Sequence, residues 1–199
     1  MIVRLLADIR LNPSRYLLAI LLLFMFFPGL DLGTAGLFVA ADGSWMSGWF
    51  FDFMRRVVPP LIIVSFVLCV ALWVAGIWYQ KWFWSLTTPR MIYLMSTLLI
   101  GPGILVESML KPNWGRARPK DIILFGGDSA FTPPLWIADE CTRNCSFVSG
   151  HAAVAFWVTA YGFIAPEKWR GPVIAGGIVL GVVMGIARMM QGAHFLSDI

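Results

Sequence analysis

Five runs of mostly apolar residues organise this chain, near Leu11–Leu30, Val57–Tyr79, Met91–Leu110, Phe147–Ala165 and Pro172–Met190. A helix that crosses a bilayer needs about 20 such residues, and each run reaches or approaches that length. The pattern predicts an all-α fold, a polytopic transmembrane helical bundle in a single domain over residues 1–199. The connections differ in character. Residues 31–56 are rich in Gly, Trp and Phe, and Trp45, Trp49, Phe50, Phe51 and Phe53 suit an amphipathic segment at the headgroup level. Residues 80–90 are short and hold Trp82 and Trp84, and Pro166–Gly171 reads as a tight turn. Lys111–Ser146 is the longest polar stretch. The chain stops at Ile199, just past Asp198. A sixth helix starting near His194 is expected, with only its first turn present and the domain incomplete at that end.

Composition agrees with a membrane protein. The chain is 59% hydrophobic and 13% charged, with a mean hydropathy of +0.77, whereas soluble domains carry about 25% charged residues. The net charge of +4 comes without a polybasic run, so nucleic acid is not an expected partner. Phosphate or anionic headgroups suit the basic residues better. Cys69 sits in an apolar run and reads as a small core residue. Cys141 and Cys145 lie four apart in a polar loop, where a disulfide is favoured. A metal site would need more ligands than this pair supplies, and no cofactor is expected.

Helix parity puts the loop after the third run and the segment after the fifth on one side of the membrane. Three polar clusters fall there. The first runs from Lys111 to Arg118-Pro119, the second is Ser149-Gly150-His151, and the third is Arg188, His194 and Asp198. Cleaving a phosphate ester needs positive charge on the non-bridging oxygens, an in-line nucleophile and a proton for the leaving alcohol. Lys111, Arg118 and Arg188 can supply the charge, the arginines through a planar fork of donors. Ser149 and the N–H groups of Gly150 and His151 can hold the anion at a helix N-terminus. His194 and Asp198, four apart, would share one helix face, the carboxylate orienting the ring for attack on phosphorus. His151 then serves as general acid. On one continuous helix Arg188 and His194 would point about 120° apart. A break at Gly192 is therefore expected, with Arg188 ending the fifth helix and His194 in the first turn of a sixth.

These clusters resemble the type 2 phosphatidic acid phosphatase (PAP2) family, which carries K-x6-R-P, then P-S-G-H, then S-R-x5-H-x3-D. Lys111 to Arg118-Pro119 matches the first motif in full. Ser149-Gly150-His151 matches the second with Val148 in place of proline, and Arg188, His194 and Asp198 match the third with Ala187 in place of serine. The lost serine can cost a hydrogen bond that supports phosphate binding. The resemblance implies a six-helix bundle and a metal-free reaction through a phosphohistidine, at a site that in bacteria normally faces the periplasm. Gly115-Arg-Ala-Arg-Pro, Phe125-Gly-Gly and Asn144-Cys-Ser-Phe-Val-Ser-Gly-His resemble a bacterial subgroup that includes lipid A phosphatases.

Singly, each residue has an ordinary explanation: Lys111 and Arg118 as interface anchors, His151 as a polar contact between helices, Asp198 as a favourable charge at a helix start. None of these accounts for three motifs at family spacing on one side of a membrane. The expected function is hydrolysis of a phosphomonoester or diphosphate of a membrane lipid. A phosphotransferase shares the first half-reaction, and a non-catalytic lipid-binding or transport protein would carry a relic site. Vanadate haloperoxidases share the anion motifs but are soluble. Arg116, Lys120 and Arg143 lie beside the site and face either a headgroup or solvent. Lys and Arg number seven on the N-terminal side and eight on the other. Setting aside Lys111, Arg118 and Arg188 leaves seven against five, which favours a cytoplasmic N-terminus and a periplasmic site at the inner membrane.

Overall fold

The computed structural model describes residue 8 and residues 11–199; Arg4 and Arg10 of the charge count lie outside them. Among the described residues the fold is helical, with two isolated bridges, Val39 with Trp45 and Ile122 with Ser129. The first apolar run is not one straight helix. It divides into α1 (Pro13–Phe26) and α2 (Gly29–Gly36), bent by 77°. The cause is Pro28, which lacks an N–H and disfavours helical geometry at Phe27; Phe27 has φ −121° and ψ 66°. The bend turns α2 into the protein, where it packs against the last turn of the chain, Leu196–Asp198.

The aromatic segment forms α3 (Trp49–Arg56), which runs into α4 (Val58–Trp78) as a single apolar stretch, Trp49–Trp78. Pro59 and Pro60 fall in the first turn of α4, where a missing N–H costs no helical bond. Trp49 is exposed while Met54 joins the core, so α3 is amphipathic, yet it extends a span. The third run is α5 (Thr88–Asn113), whose stretch Leu99–Leu110 is wound as a π-helix around Pro102. The ring removes one helical donor and crowds the carbonyl four residues back, and a wider winding relieves that clash.

The fourth run is shorter than its apolar pattern. It comprises α6 (Gly150–Trp157) and α7 (Thr159–Ile164), joined at Val158. Its 15 residues cover about 22 Å at 1.5 Å each, less than the hydrocarbon core of about 30 Å. α8 (Glu167–Met190) crosses beside it and is the main packing partner of α6 and α7. Close approach there depends on Gly177 and Gly181, four apart, while Gly185 one turn further on faces Ile199. A Cβ on Gly177 would lie 2.6 Å from the backbone nitrogen of Thr159, and one on Gly181 2.2 Å from the Phe156 ring. Small residues in such a stripe let membrane helices pack backbone to side chain.

The core between these helices centres on Met91, Leu94, Ala155 and Met184. Outward faces carry apolar side chains such as Leu61, Leu68, Leu99 and Val179, which suits lipid as solvent. Among the described residues three helices are long and apolar enough to cross, Trp49–Trp78, Thr88–Asn113 and Glu167–Met190, with the bent α1–α2 pair as a fourth if counted as one span. The chain leaves α8 through a turn at Gly192 (φ 62°), where a break is expected, and then forms the single 3₁₀ turn Leu196–Asp198; His194 stands two residues before that turn rather than inside it.

Candidate active site

Three helix ends and one loop converge. Lys111 stands in the last turn of α5, Ser149 caps α6, and Arg188 is in the last turn of α8. The polar loop folds over them. A cavity of about 270 Å³ opens between them, lined by Lys111, Arg118, Asn144, His151, Arg188 and His194, with Arg55 from α3. The structure thus brings together members of all three sequence clusters. Ser149 and Gly150 lie at the edge rather than on the lining. The Ser149 hydroxyl accepts from the Ala152 N–H at 3.4 Å, which caps α6. A Cβ on Gly150 would lie 2.0 Å from the Glu107 carboxylate and 3.5 Å from Lys111 Nζ, so glycine is needed for α6 to start beside α5.

Each cation is held before any anion arrives. Lys111 Nζ donates to Glu107 Oε1 at 2.9 Å, one helical turn back. Arg118 donates through Nε and Nη2 to the Asn144 carbonyl at 3.1 and 2.7 Å. Asn144 sits within the short loop closed by the Cys141–Cys145 disulfide, whose Cα atoms are 5.6 Å apart. Arg188 is buried and donates through Nη1 to Gln191. Its Nε is buried with no hydrogen-bond partner, and so is that of Arg55. A buried donor left unpaired costs stability, and both guanidinium groups border the cavity. Burial draws the Arg118 guanidinium below its ordinary pKa, opposed by Asp121 and Asp198.

The orientation of His194 differs from the expected pair. Its Nδ1 hydrogen-bonds the Ser146 carbonyl at 2.7 Å, whereas Asp198 Oδ2 is 3.9 Å away. A carbonyl only accepts, so Nδ1 carries the proton and Nε2 keeps its lone pair. The helix-face geometry fails because His194 lies before the Leu196–Asp198 turn, in extended chain. Asp198 acts one step removed. Its Oδ2 accepts from Ser146 Oγ at 2.5 Å and from the Phe195 N–H at 2.7 Å. Its backbone carbonyl receives the Ser149 N–H at 2.8 Å. Burial holds His194 well below the usual imidazole value of 6.5, and the Arg188 and Arg118 charges add to this. Burial pushes the Asp198 carboxyl up, opposed by Arg116, Ser146 and the Phe195 N–H.

Arg116 belongs to neither headgroup nor solvent. It is fully buried, with Nη1 on Asp198 Oδ1 at 2.5 Å and Nη2 on Asp31 Oδ2 at 2.8 Å. Its Nε donates to the Thr132 carbonyl, and its guanidinium lies 4.4 Å from the centroid of the Phe195 ring. Asp31 also accepts from the Ser197 N–H at 2.9 Å. Sequence reasoning missed Asp31, Arg55 and Ser146. Asp31 carries a sequence signal, as a lone carboxylate at the end of an apolar run.

The family model of the PAP2 superfamily matches residues 89–199. The chain belongs to the PAP2 superfamily. It is a PAP2-type enzyme, a phosphoric-ester hydrolase, and Lys111, Arg118, Ser149, Gly150, His151, Arg188, His194 and Asp198 all fall inside the matched region. Among curated proteins it is similar to the lipid A 4'-phosphatase of Francisella tularensis subsp. novicida (strain U112), 33% identical over 183 residues, covering 88% of this chain and 81% of that protein. It is also similar to the lipid A 4'-phosphatase of Rhizobium leguminosarum, 35% identical over 198 residues, covering 91% and 84%. That of Rhizobium etli is 33% identical, covering 91% and 76%. No solved structure gives a significant match. Arg55 and Asp31 precede the stretch that the PAP2 model matches, and the curated relatives cover most of the chain.

Proposed function

We propose that this protein is an integral-membrane lipid-phosphate phosphatase that removes a phosphate from lipid A through a phosphohistidine on His194. The observation that carries the reading is that His151 and His194 line one cation-rich cavity, with Nδ1 of His194 committed to Ser146 and Nε2 left to attack. The names of the relatives supply the lipid class.

In the first step Nε2 of His194 attacks phosphorus, the phosphorus–oxygen bond to the lipid breaks, and His151 gives its proton to the leaving oxygen. Lys111, Arg118 and Arg188 bear the charge on the three non-bridging oxygens. In the second step water attacks the phosphohistidine, His151 takes the water proton, and the phosphorus–nitrogen bond breaks to release orthophosphate. Asp198 is a positioning residue, which holds Ser146 and through it the His194 ring. A cavity lined by cations favours an anion over a metal ion, so the reaction is expected to run in EDTA. Vanadate, which can adopt the five-coordinate geometry of the transferring phosphorus, should inhibit it.

The site is assigned to the periplasmic face of a bacterial inner membrane. Arg55 lines the cavity and Arg116 is buried in ion pairs, so of the five remaining basic residues on that side only Arg56, Lys120 and Arg143 count towards topology. Seven against three favours an N-terminus in the cytoplasm, and the disulfide fits an oxidising compartment. The test is phosphate release in detergent with EDTA from lipid A, phosphatidic acid, phosphatidylglycerol phosphate and undecaprenyl diphosphate. Release from lipid A above the others supports the reading. Release only when an acceptor lipid is added would make the protein a phosphotransferase.

A further inference from the structure

A second cavity of about 250 Å³ adjoins the first. It shares Arg55, Arg118 and Arg188 with it and is completed by Lys120, Trp45 and Gln191. Among the described residues no carboxylate lines it. Lys120 is exposed and does not reach the reaction cavity; its backbone N–H is fixed to the Gly192 carbonyl at 3.1 Å. Trp45 is held over the same turn, since a Cβ on Gly192 would lie 2.4 Å from its ring. Lys111, Arg118 and Arg188 already match the three non-bridging oxygens of one phosphate. Arg55 and Lys120 exceed that need. The carboxylate near Arg55, Asp52, stands off at 3.9 Å. The buried Nε atoms of Arg55 and Arg188 have no partner, although both guanidinium groups lie between the two cavities.

We infer that this trough is a second anion subsite, in which Lys120 and the outer edge of Arg55 hold a second phosphate or other anionic group of the same lipid headgroup. The sugar or linker between the two anions passes Trp45, whose face suits an apolar ring surface. The subsite rests on the lipid-phosphatase reading and deepens it. It selects headgroups with two negative groups over those with one, and it binds the group that is not cleaved.

The test compares one lipid in two forms, carrying either the cleavable phosphate alone or a second phosphate as well. Lys120 is exposed, so Lys120→Ala should fold. The variant is expected to raise KM for the two-phosphate lipid about five- to tenfold, the scale of one net hydrogen bond at an exposed side chain, with kcat and the one-phosphate lipid unchanged. Lys120→Arg should restore the preference. An equal effect on both lipids, or none on either, overturns the subsite while leaving the phosphatase reading intact. If the protein cleaves neither lipid, it is the phosphatase reading that fails. Free orthophosphate forms the third arm. It should compete with the one-phosphate lipid equally in the protein and in Lys120→Ala; a response that depends on Lys120 would assign the trough to free phosphate instead of a headgroup.

Discussion

At the scale of single residues, the proposed chemistry concentrates on His194. Attack requires the neutral ring, and burial with Arg188 and Arg118 holds its pKa well below 6.5. The neutral form therefore persists as pH falls through the ordinary imidazole range. The acid limb of kcat/KM is expected below pH 6.5, read from a pH profile in detergent; a limb at or above 6.5 would contradict that environment. Arg116 is the other decisive residue. Removing one member of a buried pair leaves a buried charge without its counter-ion and typically costs about 3–5 kcal/mol. Arg116→Ala leaves both Asp31 and Asp198 in that state, so a large fall in melting temperature is expected. Asp31→Asn keeps an acceptor for Ser197 and tests the same network more gently. It is expected to lower kcat more than it raises KM, because Asp31 touches Arg116 and Ser197 but does not line the cavity. A change confined to KM would place Asp31 in substrate binding.

Among the elements, the α6–α8 contact sets the site, because His151 lies in the first turn of α6 and Arg188 in the last turn of α8. Gly181 is the middle of the glycine stripe, and a side chain there must displace Phe156. Overpacking of this kind costs about 1–3 kcal/mol, so Gly181→Val should lower thermal stability in detergent and, by shifting α6, lower activity. Retained stability would show that the helices are not held by this contact. The helices themselves were legible as long apolar runs, and the break at Gly192 followed from the angle between Arg188 and His194. Two features were not legible. The 77° bend depends on Pro28 at a position where the apolar run still looks continuous. The π winding of α5 follows from Pro102 in a segment whose composition is ordinary for a span. The fourth helix looked long enough because Phe147 and Val148 are apolar, yet they belong to the loop that carries Ser146 beneath His194.

Over the whole molecule, the charged and proton-bearing side chains were readable because their spacing places them at the ends of consecutive helices on one face. Their partners were not. Asp31 meets Ser197 across 166 residues of sequence, and Arg55 enters the cavity from a helix read as interfacial. No local pattern reports such encounters. The expected Asp198–His194 contact gave way to Ser146 because Phe195 is extended and the helical turn starts only at Leu196, after His194. The proposed reaction passes through a covalent phosphate on His194. The most direct measurement is a single-turnover reaction with lipid A labelled in the cleavable phosphate, quenched in alkali, where phosphohistidine survives. The protein should carry label at short times and lose it as orthophosphate appears, while His194→Ala carries none and releases none. Orthophosphate released by His194→Ala at the rate of the unaltered protein would contradict it.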